Sequence, residues 1–149
     1  MLGYGDKAPD FRLPGHPEGV DLARLRGRGK VIVVFFAEAD TPLCSRELKP
    51  FVADYPDIRE MGGSVVAVSA DGVPALKQFA RALEAPFPLA SDARLEVARE
   101  YGVAAEREAQ ARRAVFVLDR DGRVLHANPD YVPGNPSEYE AAVMALDAV

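Results

Sequence analysis

A single cysteine, Cys44, stands where a strongly apolar run gives way to a helix-start pattern, in Phe35-Phe36-Ala37-Glu38-Ala39-Asp40-Thr41-Pro42-Leu43-Cys44. One thiol cannot close an internal disulfide or build a thiolate metal cage, so its chemistry is that of one reactive sulfur. The residues just upstream suit an ionised sulfur. Asp40 or Thr41 can cap a helix, and Pro42 is pre-set for its first position. With Thr41 as the cap, Cys44 falls at the third helical residue. There a thiolate meets unpaired backbone N–H groups and the positive end of the helix dipole. Helix-end stabilisation is worth only about 0.3–1 kcal/mol, so a larger effect on the sulfur requires a nearby cation. His16 and His126 show no ligand spacing to Cys44 or to each other, and no metal site is expected.

The elements that must hold this sulfur are readable from hydrophobic patterning. Lys30 to Phe36 is a continuous β-branched and aromatic run, the mark of a central strand buried on both faces. Beyond Cys44, the residues Leu48, Phe51, Val52 and Tyr55 recur at helical spacing. Pro50 predicts a kink in that helix, because the carbonyl of Arg46 loses its usual donor. Gly62-Gly63 ends it, and Ser64 to Ser69 reads as a second buried strand, parallel to the first through a right-handed crossover. Leu76, Phe79, Ala80 and Leu83 mark another helix. A loop through Pro86 and Pro88 then leads to a short helix around Arg94 to Glu100. Ala114 to Asp119 is a third buried strand, and Arg120-Asp121-Gly122 turns it into an antiparallel partner over Arg123 to Ala127. Asn135-Pro136-Ser137-Glu138 opens a final helix with Tyr139, Ala142, Val143 and Leu146 on its buried face. The fold class is α/β, a central mixed β-sheet flanked by helices.

Composition bounds the rest. The chain has 149 residues, 48% of them hydrophobic and 28% charged, which fits a single domain over residues 1–149 with a core of its own. A net charge of -5 gives no broad attraction to nucleic acid. The short basic run Arg24, Arg26, Arg28 and Lys30 reads as a solvated loop. The first residues lack the pattern of a signal peptide, and no apolar run approaches the roughly 20 residues that span a bilayer. With one cysteine, a reducing cytoplasm is the expected compartment, with no membrane partner.

Four ordered stretches resemble the peroxiredoxins, in the alkyl hydroperoxide reductase and thiol-specific antioxidant family, most closely the compact bacterioferritin comigratory protein type. Gly5-Asp6-Lys7-Ala8-Pro9-Asp10-Phe11 is similar to the family's opening, and Asp40-Thr41-Pro42-Leu43-Cys44-Ser45-Arg46-Glu47 to its active-site loop. Val68-Ser69-Ala70-Asp71, Phe87-Pro88-Leu89-Ala90-Ser91-Asp92 and Tyr101-Gly102-Val103 resemble its middle section. Arg113-Ala114-Val115-Phe116-Val117-Leu118-Asp119 resembles the strand that begins with its catalytic arginine. Two departures stand out. Ala37 occupies the position of a usual proline, seven residues before the cysteine. Lys49 stands where many compact relatives carry a resolving cysteine.

The resemblance implies a thioredoxin-like fold and a one-cysteine peroxidase cycle without a cofactor. Cys44 would attack the terminal oxygen of hydrogen peroxide or a small organic hydroperoxide and become a sulfenic acid. Arg113 would hold thiolate and peroxide together, and the Thr41 hydroxyl would fix the angle of approach. Backbone N–H groups of Leu43 and Cys44 would stabilise the departing oxygen. A thioredoxin-like, glutaredoxin-like or low-molecular-weight thiol would restore the cysteine, in a monomer or homodimer. The alternative is a redox-responsive binding module that signals through Cys44 mixed disulfides with little turnover. Glu47 reads equally as an arginine-orienting group or a solvated helix carboxylate.

Overall fold

Runs of Val, Ile and Phe with no polar interruption can be satisfied only between two layers of other side chains, and such runs form the middle of this molecule. The computed structural model describes residues 2–147. Near the start, β1 (Arg12–Leu13), β2 (Gly15–His16) and β3 (Val20–Asp21) precede α1 (Leu22–Arg28). Next come β4 (Lys30–Phe35), α2 (Pro42–Ala53), α3 (Tyr55–Glu60), β5 (Gly63–Ser69) and α4 (Val73–Leu83). The second half holds β6 (Leu89–Ser91), α5 (Glu96–Glu100), β7 (Ala104–Ala105), β8 (Gln110–Ala111), β9 (Ala114–Leu118), β10 (Val124–Asn128) and α6 (Pro136–Met144). The main sheet runs β10-β9-β4-β5-β6-β2. Strands β4, β5 and β6 are parallel, whereas β9, β10 and β2 run against their neighbours. This is the mixed sheet flanked by helices that the patterning predicts.

Alternation along β4 divides the core. Val31, Val33 and Phe35 pack on one face with Val66, Phe116 and Tyr101. Ile32, Val34 and Phe36 pack on the other with Leu48, Phe51 and Cys44. The period of two therefore places the sulfur in the layer shared by β4 and α2. No helix among the described residues is long and apolar enough to cross a membrane.

Local differences from the sequence expectations have physical causes. The helix after Cys44 continues through Pro50 to Ala53, and the break falls at Asp54, between α2 and α3. Pro56 lacks the N–H that would bond the Val52 carbonyl, so the ladder is interrupted there. The short helix starts at Glu96 rather than Arg94, because the buried Asp92 carboxylate accepts the N–H groups of Val97 and Ala98 at 3.2 and 2.8 Å. Leu89–Ser91 is a strand inside a segment read as loop. Three residues are too few to show a period, and they are held by pairing with Ala67–Ser69.

Candidate active site

The sulfur's position follows from how β4 hands over to α2. Phe36 keeps one more sheet bond, its N–H donating to the Val68 carbonyl at 2.9 Å. The chain then turns through Asp40, whose φ of 63° lies in the left-handed region that aspartate tolerates better than most residues. Asp71 ties this turn to the end of β5. Its carboxylate accepts the Ala39 N–H at 2.8 Å and the Ser69 hydroxyl at 2.6 Å. Sequence patterning gave Asp71 no role; the signal was a polar residue, Ser69, closing a buried strand with an acid two residues later.

Thr41 is the N-cap of α2 and Pro42 its first residue, so Cys44 is the third helical residue, as its spacing predicts. The Thr41 Oγ1 accepts the Cys44 N–H at 3.3 Å and donates to the Glu38 carbonyl at 3.0 Å. With the Cys44 N–H engaged in the cap, Leu43, which is 41% exposed, supplies the remaining first-turn donor of the pair expected to face an oxyanion. Replacing Thr41 by valine keeps the shape and deletes the cap. It is expected to cost about 1 kcal/mol of stability, read from urea denaturation.

Arg113 reaches the same region from the other side of β4. Ala114 pairs with Phe35 in the antiparallel register, so the arginine precedes β9 at the end of β4 where the turn to α2 begins. Its carbonyl accepts the Tyr131 N–H at 3.0 Å. With Ala37, Gln110, Asp130 and Tyr131 it lines a cavity of about 430 Å³. Cys44 is itself only 1% exposed.

Glu47, three residues after Cys44 on α2, is 0% exposed. The reading of Glu47 as a solvated helix carboxylate is thus overturned: the face of α2 that carries Cys44 and Leu48 packs against the sheet and takes Glu47 with it. Neither of its carboxyl oxygens has a hydrogen-bond partner. Burial pushes its pKa well above the usual carboxylate range; the Cys44 charge raises it further, and the Arg113 guanidinium opposes both. The Tyr131 phenol lies close enough to feel Glu47, its own pKa raised first by burial and then by that carboxyl. Cys44, Glu47, Arg113 and Tyr131 therefore form one electrostatic group. Among the described residues, no three or more His, Cys, Asp or Glu side chains converge in a metal-binding arrangement.

A mixed sheet with a free cysteine in the first turn of the helix after its central parallel strand defines a protein of the thioredoxin-like class. Within that class the chain belongs to the AhpC/TSA family, whose model matches residues 4–127. It is 37% identical over 133 residues to a protein of Mycobacterium tuberculosis (strain H37Rv) bearing the peroxiredoxin name, with 85% of this chain and 84% of the relative covered. It is 32% identical over 127 residues to the chloroplastic peroxiredoxin Q of Oryza sativa subsp. japonica, covering 84% of this chain and 58% of the relative. The crystal structure of the peroxidoxin BcpB from Mycobacterium tuberculosis superposes with a TM-score of 0.90 at 28% identity. That match covers 100% of this chain and 99% of the other.

Proposed function

We propose that this chain is a one-cysteine, thiol-dependent peroxidase that reduces hydrogen peroxide or small organic hydroperoxides. The Cys44 thiolate attacks the terminal peroxide oxygen. An S–O bond forms, the O–O bond breaks, and the departing oxygen takes a proton to leave as water or an alcohol. One external thiol then condenses with the sulfenic acid, releasing water, and a second thiol frees Cys44 from the mixed disulfide.

The observation that carries this reading is the pairing of a capped helix start at Cys44 with an arginine entering from the neighbouring strand, in a chain of the AhpC/TSA family. The roles divide by what each group has left to give. The Thr41 proton is directed at Glu38, so towards a peroxide Thr41 acts through its second lone pair, accepting the peroxide O–H. Arg113 supplies permanent charge and a planar set of donors for thiolate and peroxide oxygen. The Leu43 N–H faces the departing oxygen.

The cysteine count of one leaves reduction to an outside thiol. A thioredoxin-like, glutaredoxin-like or low-molecular-weight thiol fills that part, in a reducing cytoplasm, with the protein working as a monomer or homodimer. Peroxide consumption in the presence of a thiol supply tests the reading. Wild type is expected to turn over and Cys44→Ser to fall to the uncatalysed background; equal rates for the two end the peroxidase claim.

A further inference from the structure

Two buried carboxyls occur among the described residues, and their surroundings treat them oppositely. Asp92 accepts two backbone N–H groups. Glu47 accepts none, although it is sealed in the same degree. An ionised carboxylate with no donor in a dry interior is so costly that the group takes up a proton instead. Glu47 also lies one helical turn beyond Cys44, at the i+3 spacing that places two side chains on one face. The charged or titratable groups facing it are Cys44 on its own helix, Arg113 at the head of β9 and Tyr131 in the segment after β10.

The peroxidase reaction, on which this inference rests, consumes one proton for each thiolate oxidised. We infer that Glu47 enters the reaction as a neutral acid and supplies the proton taken up by the departing oxygen. Thiolate, hydroperoxide and neutral Glu47 become sulfenic acid, alcohol or water, and Glu47 carboxylate. The sulfur's electron pair forms the S–O bond and the O–O pair leaves with the departing oxygen, which gains the Glu47 proton. One negative charge is present before and after; it has moved from sulfur to carboxylate. The move is eased because the repulsion from Cys44 vanishes when its thiolate becomes a neutral sulfenic acid, while the attraction of Arg113 remains. Burial, the largest cause of the raised pKa, still opposes the carboxylate, so Glu47 regains a proton from solvent after the step. Restoring the thiolate with two external thiols releases one proton, which balances the one regained. Burial keeps bulk water from drawing the proton off between turnovers. Glu47 is in this sense a proton store for the sulfur, not a group that binds the peroxide.

The test uses the full chain and one equivalent of hydrogen peroxide. Time-resolved infrared spectra are expected to show a neutral-carboxyl C=O band in the reduced wild type that bleaches as Cys44 oxidises and then recovers, and that is absent from Glu47→Gln. In weakly buffered solution with an indicator dye, proton uptake from solvent should lag Cys44 oxidation in wild type and coincide with it in Glu47→Gln. A band that is missing in the reduced wild type, or that never bleaches during oxidation, overturns the inference, as does the same timing of proton uptake in the two proteins. The wild-type spectra decide the matter even if the variant misfolds. A Cys44 that peroxide leaves unoxidised, followed by trapping of the sulfenic acid, defeats the peroxidase reading and this inference together. A Cys44 that is oxidised while the band persists defeats the inference alone.

Discussion

Arg113→Leu is expected to slow single-turnover oxidation of Cys44 by hydrogen peroxide about 10²–10³-fold, the range for removing one preorganised donor from a site of developing charge. The reason is what other effects cannot supply. Raising a thiol's ionised fraction at neutral pH from a few per cent to near completion gains roughly 30-fold, and a more acidic thiol makes a weaker nucleophile. The remaining rate must come from holding sulfur and the O–O bond in line beside fixed positive charge. Arg113 forms none of the side-chain ion pairs among the described residues, so its charge is not already neutralised by a neighbouring carboxylate. That is consistent with a Glu47 that stays neutral beside it. Arg113→Lys retains the charge but loses the planar fork, and should recover only part of the rate. Stopped-flow oxidation at several pH values separates this from a mere change in ionisation. If raising the pH restores the leucine variant to the wild-type rate, Arg113 acts only on ionisation, not on orientation.

Glu47→Gln is expected to stabilise the protein, by an amount that grows with pH. A free glutamate titrates near 4.3, so below about pH 4 both folded and unfolded states hold the proton and the residue has no pH-dependent cost. As pH rises, the unfolded chain gains by ionising, while the buried carboxyl, held well above its ordinary range, does not. Stability therefore falls from about pH 4 upward through neutrality, until the folded group itself gives up its proton. Glutamine has no such dependence. The gap between variant and wild type should be near zero at about pH 4 and reach about 1–3 kcal/mol by about pH 8. That corresponds to roughly 2–10 °C in Tm for a chain of this size. Because the Cys44 charge contributes to the shift, the gap should shrink in a Cys44→Ser background. A gap that stays constant from pH 4 to 8 would mean that Glu47 is ionised in the folded protein.

The chemical parts of the site were legible early because each is a local signal. Asp40 or Thr41 before Pro42 reads as a cap and a first helical residue, and Thr41, which the structure shows as the cap, places Cys44 at the third position. The buried strands on either side announced themselves by unbroken β-branched runs. Other features depend on groups distant in sequence. The three-residue strand Leu89–Ser91 exists because β5 offers it a partner. The helix starts at Glu96 because Asp92 caps it from a buried position. The end of α2 falls where Pro56 lacks the N–H for the Val52 carbonyl and the chain turns into α3, whereas Pro50 lies inside the helix.

Glu47 marks the boundary between the two kinds of information most sharply. The chain alone determined that one sulfur would stand at a capped helix start after a central strand, because capping and hydrophobic period act within a few residues. It also determined which arginine heads the strand resembling that of the family. Only the tertiary structure decided that Glu47 is sealed from water within reach of the charges of Cys44 and Arg113. A carboxylate three residues past a cysteine is solvated or buried according to which face of the helix meets the sheet. That choice is made by the packing of Leu48 and Phe51 against β4, and it makes a buried carboxyl without a hydrogen-bond partner of what would otherwise be an ordinary surface charge.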